Sequence, residues 1–229
     1  MASKPAERAR ELVRERIGLV RDAMRTCDEH IERELAVLAA RGVVPSCTRG
    51  CAHCCRQEIL APRAEAEAIV DWLHASWSPA QLDALKDRLR AWLAWHHGEF
   101  KRRVTAGEDR QVVAYEDGPG CAVLQDAACS IYPVRPTTCR MHYVTSSADA
   151  CRPVRDPACA RDETVVVLPS IHRVALPSVH RIREGVARQG TDYWATVHLL
   201  PEWLAHLLRV ADQPWRTAPP LPLASASPR

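Results

Sequence analysis

The sequence lacks several features that would place it in a common functional class. No apolar run approaches the ~18 residues of a membrane-spanning helix, and no apolar stretch resembling a secretory signal follows the N-terminus. The net charge is only +3, so the charge balance gives no reason to expect a nucleic-acid partner. Neither a Gly-rich phosphate-binding loop nor a Ser-His-Asp arrangement can be identified. From these absences we expect a protein that binds neither a membrane nor a nucleic acid.

Phenylalanine and lysine are also scarce. The chain has one Phe, and its only lysines are Lys4, Lys86 and Lys101, so its basic residues are nearly all arginine. Apolar residues make up 47% of the 229 positions, which is enough for the core of one sizeable domain. We expect a cytoplasmic protein, where cysteines stay reduced and metal binding is favoured over disulfides.

Cysteine, by contrast, is abundant and clustered. Seven of the ten cysteines fall into two blocks separated by a long helical stretch. Thiolates placed this close together repel one another unless a cation lies between them, so the pattern predicts a zinc or iron–sulfur site. The predicted metal ligands are Cys47, Cys51, Cys54 and Cys55 in the first block and Cys121, Cys129 and Cys139 in the second.

The spacing in the first block leaves alternatives open. Cys51 and Cys54 are separated by two residues and can reach one metal through a turn. Cys54 and Cys55 are adjacent and should point apart, which allows one ligand, two metal centres or a strained vicinal disulfide. The run from Cys47 to Cys54 also has the spacing used by radical S-adenosylmethionine enzymes. Those enzymes need a β/α barrel, whereas helical patterns follow the motif here.

The two cysteine blocks together resemble the YkgJ-type cysteine-cluster proteins, the CxxCxxCC family of zinc- or iron-chelating domains. The resemblance covers roughly residues 47–143, and the second block is its longer and more specific part. Three residues separate Cys47 from Cys51, where the commonest family pattern has two. The matching positions are Cys47, Cys51, Cys54, Cys55, Cys121, Cys129, Ser130, Ile131, Tyr132, Arg135, Pro136, Cys139 and Arg140.

The resemblance implies a protein that binds zinc or a 4Fe-4S cluster in a structural, carrier or redox-sensing role. A metal ion or cluster is the implied partner, with another protein as a further candidate. Because flagellin lysine N-methylases share the cysteine signature, the alternative is an S-adenosylmethionine-dependent protein-modifying enzyme. Arg135 and Arg140 are expected beside the cofactor, where a guanidinium offsets buried negative charge; an ion pair with an acidic neighbour is the structural alternative.

Several other residues are weaker candidates for metal binding. The further candidate ligands are His53, His142, Cys151 and Cys159. The carboxylates that follow the first cysteine block are expected on the exposed face of a helix, where its dipole favours them. These are Glu58, Glu65 and Glu67.

The predicted fold is mainly α with a short β-hairpin: an irregular, metal-stapled helical domain flanked by N- and C-terminal helices. The predicted segments are an amphipathic helix (1–42), a cysteine-cluster domain (43–163) with a helical insert (62–104), a C-terminal helical extension (164–212) and a disordered tail (213–229). Hydrophobic periodicity predicts helices at 6–41, 62–75, 79–103, 177–189 and 192–210. A weak alternation predicts a strand at 111–115, and turn residues predict a hairpin within 121–132.

Overall fold

The fold is mainly helical, with two very small antiparallel sheets. The computed structural model describes residues 4–48, 50–153 and 165–213, so Cys159 and the predicted tail from 214 onward lie outside the described residues. The helices are α1 (Lys4–Ala40), α2 (Arg63–Ser76), α3 (Pro79–Trp95), α4 (Lys101–Thr105), α5 (Arg110–Glu116), α6 (Thr137–Met141), α7 (Pro169–Arg188) and α8 (Leu200–Leu207). The strands are β1 (Leu60–Pro62), β2 (Leu124–Gln125), β3 (Ala128–Cys129) and β4 (Val197–Leu199).

The long α1 helix packs against α7 and α2 through the predicted apolar stripe. Val20, Met24, Cys27 and Ile31 are all buried, because residues spaced by three and four positions share one helical face. α1 lies close to α7 at Gly185, where a Cβ atom would lie 1.9 Å from a methyl carbon of Leu19. A larger residue at position 185 would therefore require the Leu19 side chain to move.

α7 begins eight residues before the predicted start at position 177. Pro169 occupies the first turn, where its missing N–H is tolerated, and Pro177 lies inside the helix. The predicted helix at 192–210 is shorter than expected. It is preceded by strand β4 and restarts at Leu200, with Pro201 in its first turn.

α2 and α3 follow the prediction closely. Ile69, Val70 and Leu73 of α2 are buried, and Ser78 and Gln81 form a reciprocal capping box at the start of α3. The third predicted helix does not run straight to 103, because a π-helical segment, His96–Phe100, joins α3 to α4.

The predicted strand at 111–115 is wrong, because these residues form helix α5. Asp109 accepts a hydrogen bond from the backbone N–H of Val112 and so caps the first turn. The apolar residues 112–115 are all buried. A short apolar run fits either a strand or a buried helix, and here the aspartate cap favours the helix.

One of the two sheets joins distant parts of the chain, and the other is a local hairpin. β1 pairs with β4, and β2 pairs with β3 as the predicted hairpin, although with only two residues in each strand. Residues of α2, the hairpin and α8 share one core cluster, exemplified by Ile69, Val123 and Leu204. The predicted segments therefore contribute to a common core, and the segment boundaries remain a prediction. No described helix combines the length and apolarity required to cross a bilayer.

The expectation that the carboxylates after the first cysteine block are exposed is wrong. Glu65 is fully buried and Glu67 is 6% exposed. Alanines separate the acidic residues in α2, so this helix has no hydrophilic stripe at its start and packs on all sides. Glu67 accepts hydrogen bonds from Arg16 on α1 at 2.7 Å and from Arg63 at 2.8 Å, which neutralise its charge.

Replacing Glu67 should destabilise the fold strongly. We expect Glu67→Ala to lower the free energy of unfolding by about 3–5 kcal/mol, because the nearly buried Arg16 would lose its charge partner. Urea denaturation measures the change. Glu29→Ala, which removes an exposed α1 pair with Arg25, serves as the control and should cost less than about 1 kcal/mol. Equal losses in the two variants would contradict the proposed importance of the buried pair.

Candidate metal centre

The first cysteine block lies in the loop between α1 and β1. A left-handed backbone at Gly50, with φ of 97°, and a 3-10 turn at Cys54–Arg56 fold this loop back on itself. The sulfur of Cys47 accepts a hydrogen bond from the backbone N–H of Val144 at 3.4 Å. The loop is therefore attached to the chain that follows the second cysteine block.

The second block is presented by the β2–β3 hairpin. Asp126 and Ala127, the two residues of its turn, have positive φ values of 48° and 55°, as a tight two-residue hairpin requires. The turn brings Cys121, just before β2, back towards Cys129 on β3. The N–H of Cys121 donates to the carbonyl oxygen of Cys55 at 2.7 Å, so a backbone hydrogen bond joins the two blocks directly.

Cys139 is placed by helix α6, which Pro136 precedes as predicted. The buried Glu65 of α2 holds the start of this short helix. Its carboxylate accepts hydrogen bonds from the backbone N–H of Thr137 at 2.9 Å and from the Thr137 hydroxyl at 2.7 Å. Sequence reasoning missed this support, and the alanine-flanked position of Glu65 is the signal that indicates its burial.

Four cysteines form a set in which every pair interacts electrostatically. Burial raises the pKa of Cys139 well above its ordinary value, and the other three thiols raise it further. Burial likewise raises the pKa of Cys121 to about 12, with added contributions from Cys129 and Cys54. Burial raises the pKa of Cys129, and Cys54 adds to this effect. The set, Cys54, Cys121, Cys129 and Cys139, draws on both blocks.

The adjacent thiols of Cys54 and Cys55 share one proton. A hydrogen bond from Cys55 lowers the pKa of Cys54 to about 7, whereas the same bond, together with burial, raises the pKa of Cys55 far above its ordinary value. Both cysteines are free, so the structure contains no vicinal disulfide at this pair. Cys54 is therefore the thiolate of the pair near neutral pH.

Backbone amides also face the sulfurs. The N–H of Val123 and that of Ile131 lower the pKa of Cys121 and of Cys129, respectively, although in both cases the larger effect of burial prevails. Burial raises the pKa of Cys47, and Cys51 and Cys54 contribute to the rise. All seven predicted ligands therefore belong to one connected neighbourhood of thiols.

Two arginines, Arg135 and Arg140, lie beside this neighbourhood of thiols. Arg140 is fully buried; it pairs with Asp28 of α1 and donates to the carbonyl oxygens of Arg135 at 2.8 Å and Pro133 at 2.7 Å. Arg135 lies over the Tyr132 ring, 3.7 Å from its centre. Both guanidinium groups counteract the burial-driven rise in the pKa of Cys129. The structural alternative, an ion pair with an acidic neighbour, is therefore present, and the support of a cofactor by these arginines stays a prediction.

The weaker candidates have other contacts. Nδ1 of His53 lies 2.6 Å from the Tyr115 hydroxyl. His142 offers its carbonyl oxygen to the Cys47 thiol at 3.9 Å, and burial, followed by nearby His172, lowers the pKa of its imidazole. Cys151 lies in a 3-10 turn beyond α6. The structure brings together the two blocks, whereas these residues have no demonstrated role at the centre.

The thiols are not arranged as a closed zinc shell. In the parts of the chain described by the structure, no three cysteine sulfurs lie within 4.8 Å of one another. Zn–S bonds of about 2.3 Å in a tetrahedron would place the sulfurs only about 3.8 Å apart. The sulfurs would therefore have to move closer together to bind one zinc ion.

Thiols from distant segments, amides directed at sulfur and buried arginines define a cysteine-cluster metal-binding protein. The sequence model of the CxxCxxCC family, described as "Putative zinc- or iron-chelating domain", matches residues 46–160. This is half of the chain, and the protein belongs to that family. The predicted resemblance is confirmed, and with it chelation of zinc or iron as the function the family indicates. Comparisons with curated proteins and with solved structures gave no match.

Cys54 should be the most reactive thiol of the metal-free protein near neutral pH. Because its pKa lies at about 7, the rate of a brief iodoacetamide labelling should rise as pH passes through about 7 and level off above it. Peptide mass spectrometry measures the modified fraction. Cys55→Ala removes the hydrogen-bond donor, so the midpoint should move to higher pH.

Cys27 provides the internal control for this labelling. It is fully buried, and burial raises its pKa to about 11, so it should stay unmodified in the folded chain. A labelling midpoint of Cys54 near the ordinary value for a thiol, with Cys27 still protected, would contradict the shared-proton arrangement.

Proposed function

We propose that this protein binds a 4Fe-4S cluster through Cys54, Cys121, Cys129 and Cys139. The observation that carries the proposal is the complete set of pairwise interactions among these four thiols, which come from two distant blocks. Four cysteine thiolates are the usual ligands of such a cluster. The same residues could be drawn together by zinc, so the experiments below separate the two metals.

Two features favour the cluster over zinc. A structural zinc ion uses four ligands in a closed tetrahedron, but seven thiols converge here, and in the described residues no three of their sulfurs all lie within 4.8 Å of one another. An iron–sulfur cluster accommodates thiolates that lie further apart, because several iron atoms share the binding. We further propose that Cys47, Cys51 and Cys55 are additional ligands at this centre, because Cys47 interacts with Cys51 and Cys54, and Cys55 interacts with Cys54, Cys121 and Cys139.

Arg135 and Arg140 fit the proposed cluster as charge-balancing residues. A cluster with four thiolate ligands retains negative charge, and burying that charge is costly unless cations lie nearby. Both arginines lie close enough to Cys129 to oppose the rise in its pKa. Because Asp28 already pairs with Arg140, part of this positive charge is balanced before any cluster is bound.

The proposed role is structural or redox-sensing, in a reducing compartment such as the cytoplasm. The cysteines of both blocks are only partly exposed, so a bound cluster would connect the α1–β1 loop to the hairpin while remaining near solvent. No observation favours the enzyme alternatives. In the described residues the only sheets are two-stranded and antiparallel, and a radical S-adenosylmethionine enzyme would need a parallel β/α barrel.

Anaerobic purification should give a brown protein that contains iron and acid-labile sulfide. We expect Cys54→Ser and Cys139→Ser each to abolish the visible absorption band and to lower the iron content at least about tenfold, because each removes a ligand. Elemental analysis and absorption spectroscopy provide the measurements.

Cys27→Ala is the matched control for these variants. Cys27 is buried against α7 and is not part of the thiol neighbourhood, so the variant should keep its iron. A colourless protein with about one zinc per chain would replace the cluster by a zinc site. Full iron content in Cys54→Ser or Cys139→Ser would remove that residue from the ligand set.

Arg135→Gln should make the bound cluster harder to reduce. Removing a cation beside the cluster disfavours the added electron, so the midpoint potential should become more negative in a spectroelectrochemical titration. Arg25→Gln, on the exposed face of α1, should leave the potential unchanged. The charge-balancing role would be refuted by an unaltered potential in Arg135→Gln.

A further inference from the structure

A second group of possible metal ligands lies outside the cysteine centre. His96, His97 and Glu202 each offer one ligand atom, and these three atoms all lie within 4.8 Å of one another. No other such group of three occurs in the residues that the structure describes. The histidines begin the π-helical segment after α3, and the glutamate lies in the first turn of α8. Two elements far apart in sequence thus bring two imidazoles and a carboxylate together.

The backbone at the histidines is unusual. The segment His96–Phe100 is π-helical, and the N–H of Lys101 accordingly donates to the carbonyl oxygen of His96, five residues earlier. Single π-helical turns interrupt the regular hydrogen bonding of an α-helix and are frequent at functional sites. This interruption changes the angular separation of consecutive side chains and lets neighbouring histidines serve one site.

The ring of His96 is held rigidly and carries a free nitrogen. It is stacked between Trp92 and Phe100, with ring centres 4.5 Å and 4.6 Å away. Its Nε2 lies 2.8 Å from the Glu58 carboxylate. Its Nδ1 is buried without a hydrogen-bond partner, and the residue is only 9% exposed. An unsatisfied buried nitrogen is unfavourable, and binding to a cation would offset this cost.

His97 and Glu202 complete the group from the opposite side. Nε2 of His97 lies 3.0 Å from a Glu202 carboxylate oxygen. The Glu202 side chain is 7% exposed, whereas that of His97 is 48% exposed. The site therefore has a buried anionic ligand and a solvent-facing histidine through which a metal ion can enter.

We propose that His96, through Nδ1, His97 and Glu202 bind a divalent transition metal ion of the zinc or ferrous type. Two imidazoles and one carboxylate suit these borderline ions rather than calcium or magnesium, which prefer oxygen ligands throughout. Glu58 acts on the far nitrogen of His96 as the carboxylate that orients a metal-binding imidazole. Glu58 is in turn held by Arg110, whose Nη2 lies 2.6 Å from its carboxylate.

This site is independent of the proposed cluster. None of its three ligands is a cysteine, and the ligands come from the α3–α4 junction and α8 rather than from the two cysteine blocks. With three protein ligands, the ion keeps at least one position for water or another small molecule. Unlike a closed structural centre, this second site can therefore bind water or another small molecule at its metal ion.

Equilibrium dialysis of the full-length protein with Zn²⁺, its cysteine-bound metal left in place, tests the proposal. We expect about one zinc per chain beyond the metal already present. X-ray absorption should show a nitrogen and oxygen shell at about 2.0–2.1 Å, not sulfur at about 2.3 Å. His97→Ala should weaken this binding at least about tenfold, since it removes a ligand from a largely exposed position.

His74→Ala, an exposed histidine near the end of α2, is the matched control and should bind zinc like the wild type. Glu202→Gln keeps the shape of the side chain, removes its charge and should also weaken binding. Thermal unfolding followed by circular dichroism verifies that each variant is folded. The proposal is overturned if no additional zinc binds, if the additional zinc has a sulfur shell, or if folded His97→Ala keeps wild-type affinity.

Discussion

Mutual repulsion among thiolates is the constraint on which the rest of this structure depends. Cys54, Cys121, Cys129 and Cys139 lie close enough that ionising one opposes ionising the others. The fold answers this with a shared proton between Cys54 and Cys55, with amides directed at sulfur and with two arginines. Each of these features offsets only part of the cost of ionising the four thiols. A metal cation is the group that would relieve the repulsion fully, and the surrounding helices supply the packing that holds the thiols in place.

The charged residues behind the thiols integrate the centre into the helical core. Arg140 joins α6 to Asp28 of α1, and Glu65 joins α2 to Thr137 at the start of α6. A buried polar group destabilises the fold when its partner is missing. When both partners are present, they favour one arrangement of the helices. The position of α6, and therefore of Cys139, depends on these contacts as much as on apolar packing.

Much of this arrangement could be predicted from the sequence, and the failures have physical causes. The stripe of α1 and the hairpin turn are local signals, and both were confirmed. The strand predicted at 111–115 is a helix, because a short apolar run is compatible with both a buried strand and a buried helix. The contact between Glu65 and Thr137 and the pairing of His97 with Glu202 could not be predicted, because both join residues more than 70 positions apart along the chain.

The order of the two cysteine blocks along the chain has a consequence for biosynthesis. Cys55 leaves the ribosome 84 positions before Cys139, and at about 5–20 residues per second the interval lasts on the order of 4–17 seconds. During that time the first cysteine block has no complete partner block, and β1 stays unpaired even longer because β4 is synthesised after Cys139. The nascent chain thus exposes a reactive, half-assembled chelator, and metal insertion into the complete centre has to follow translation of the hairpin and α6.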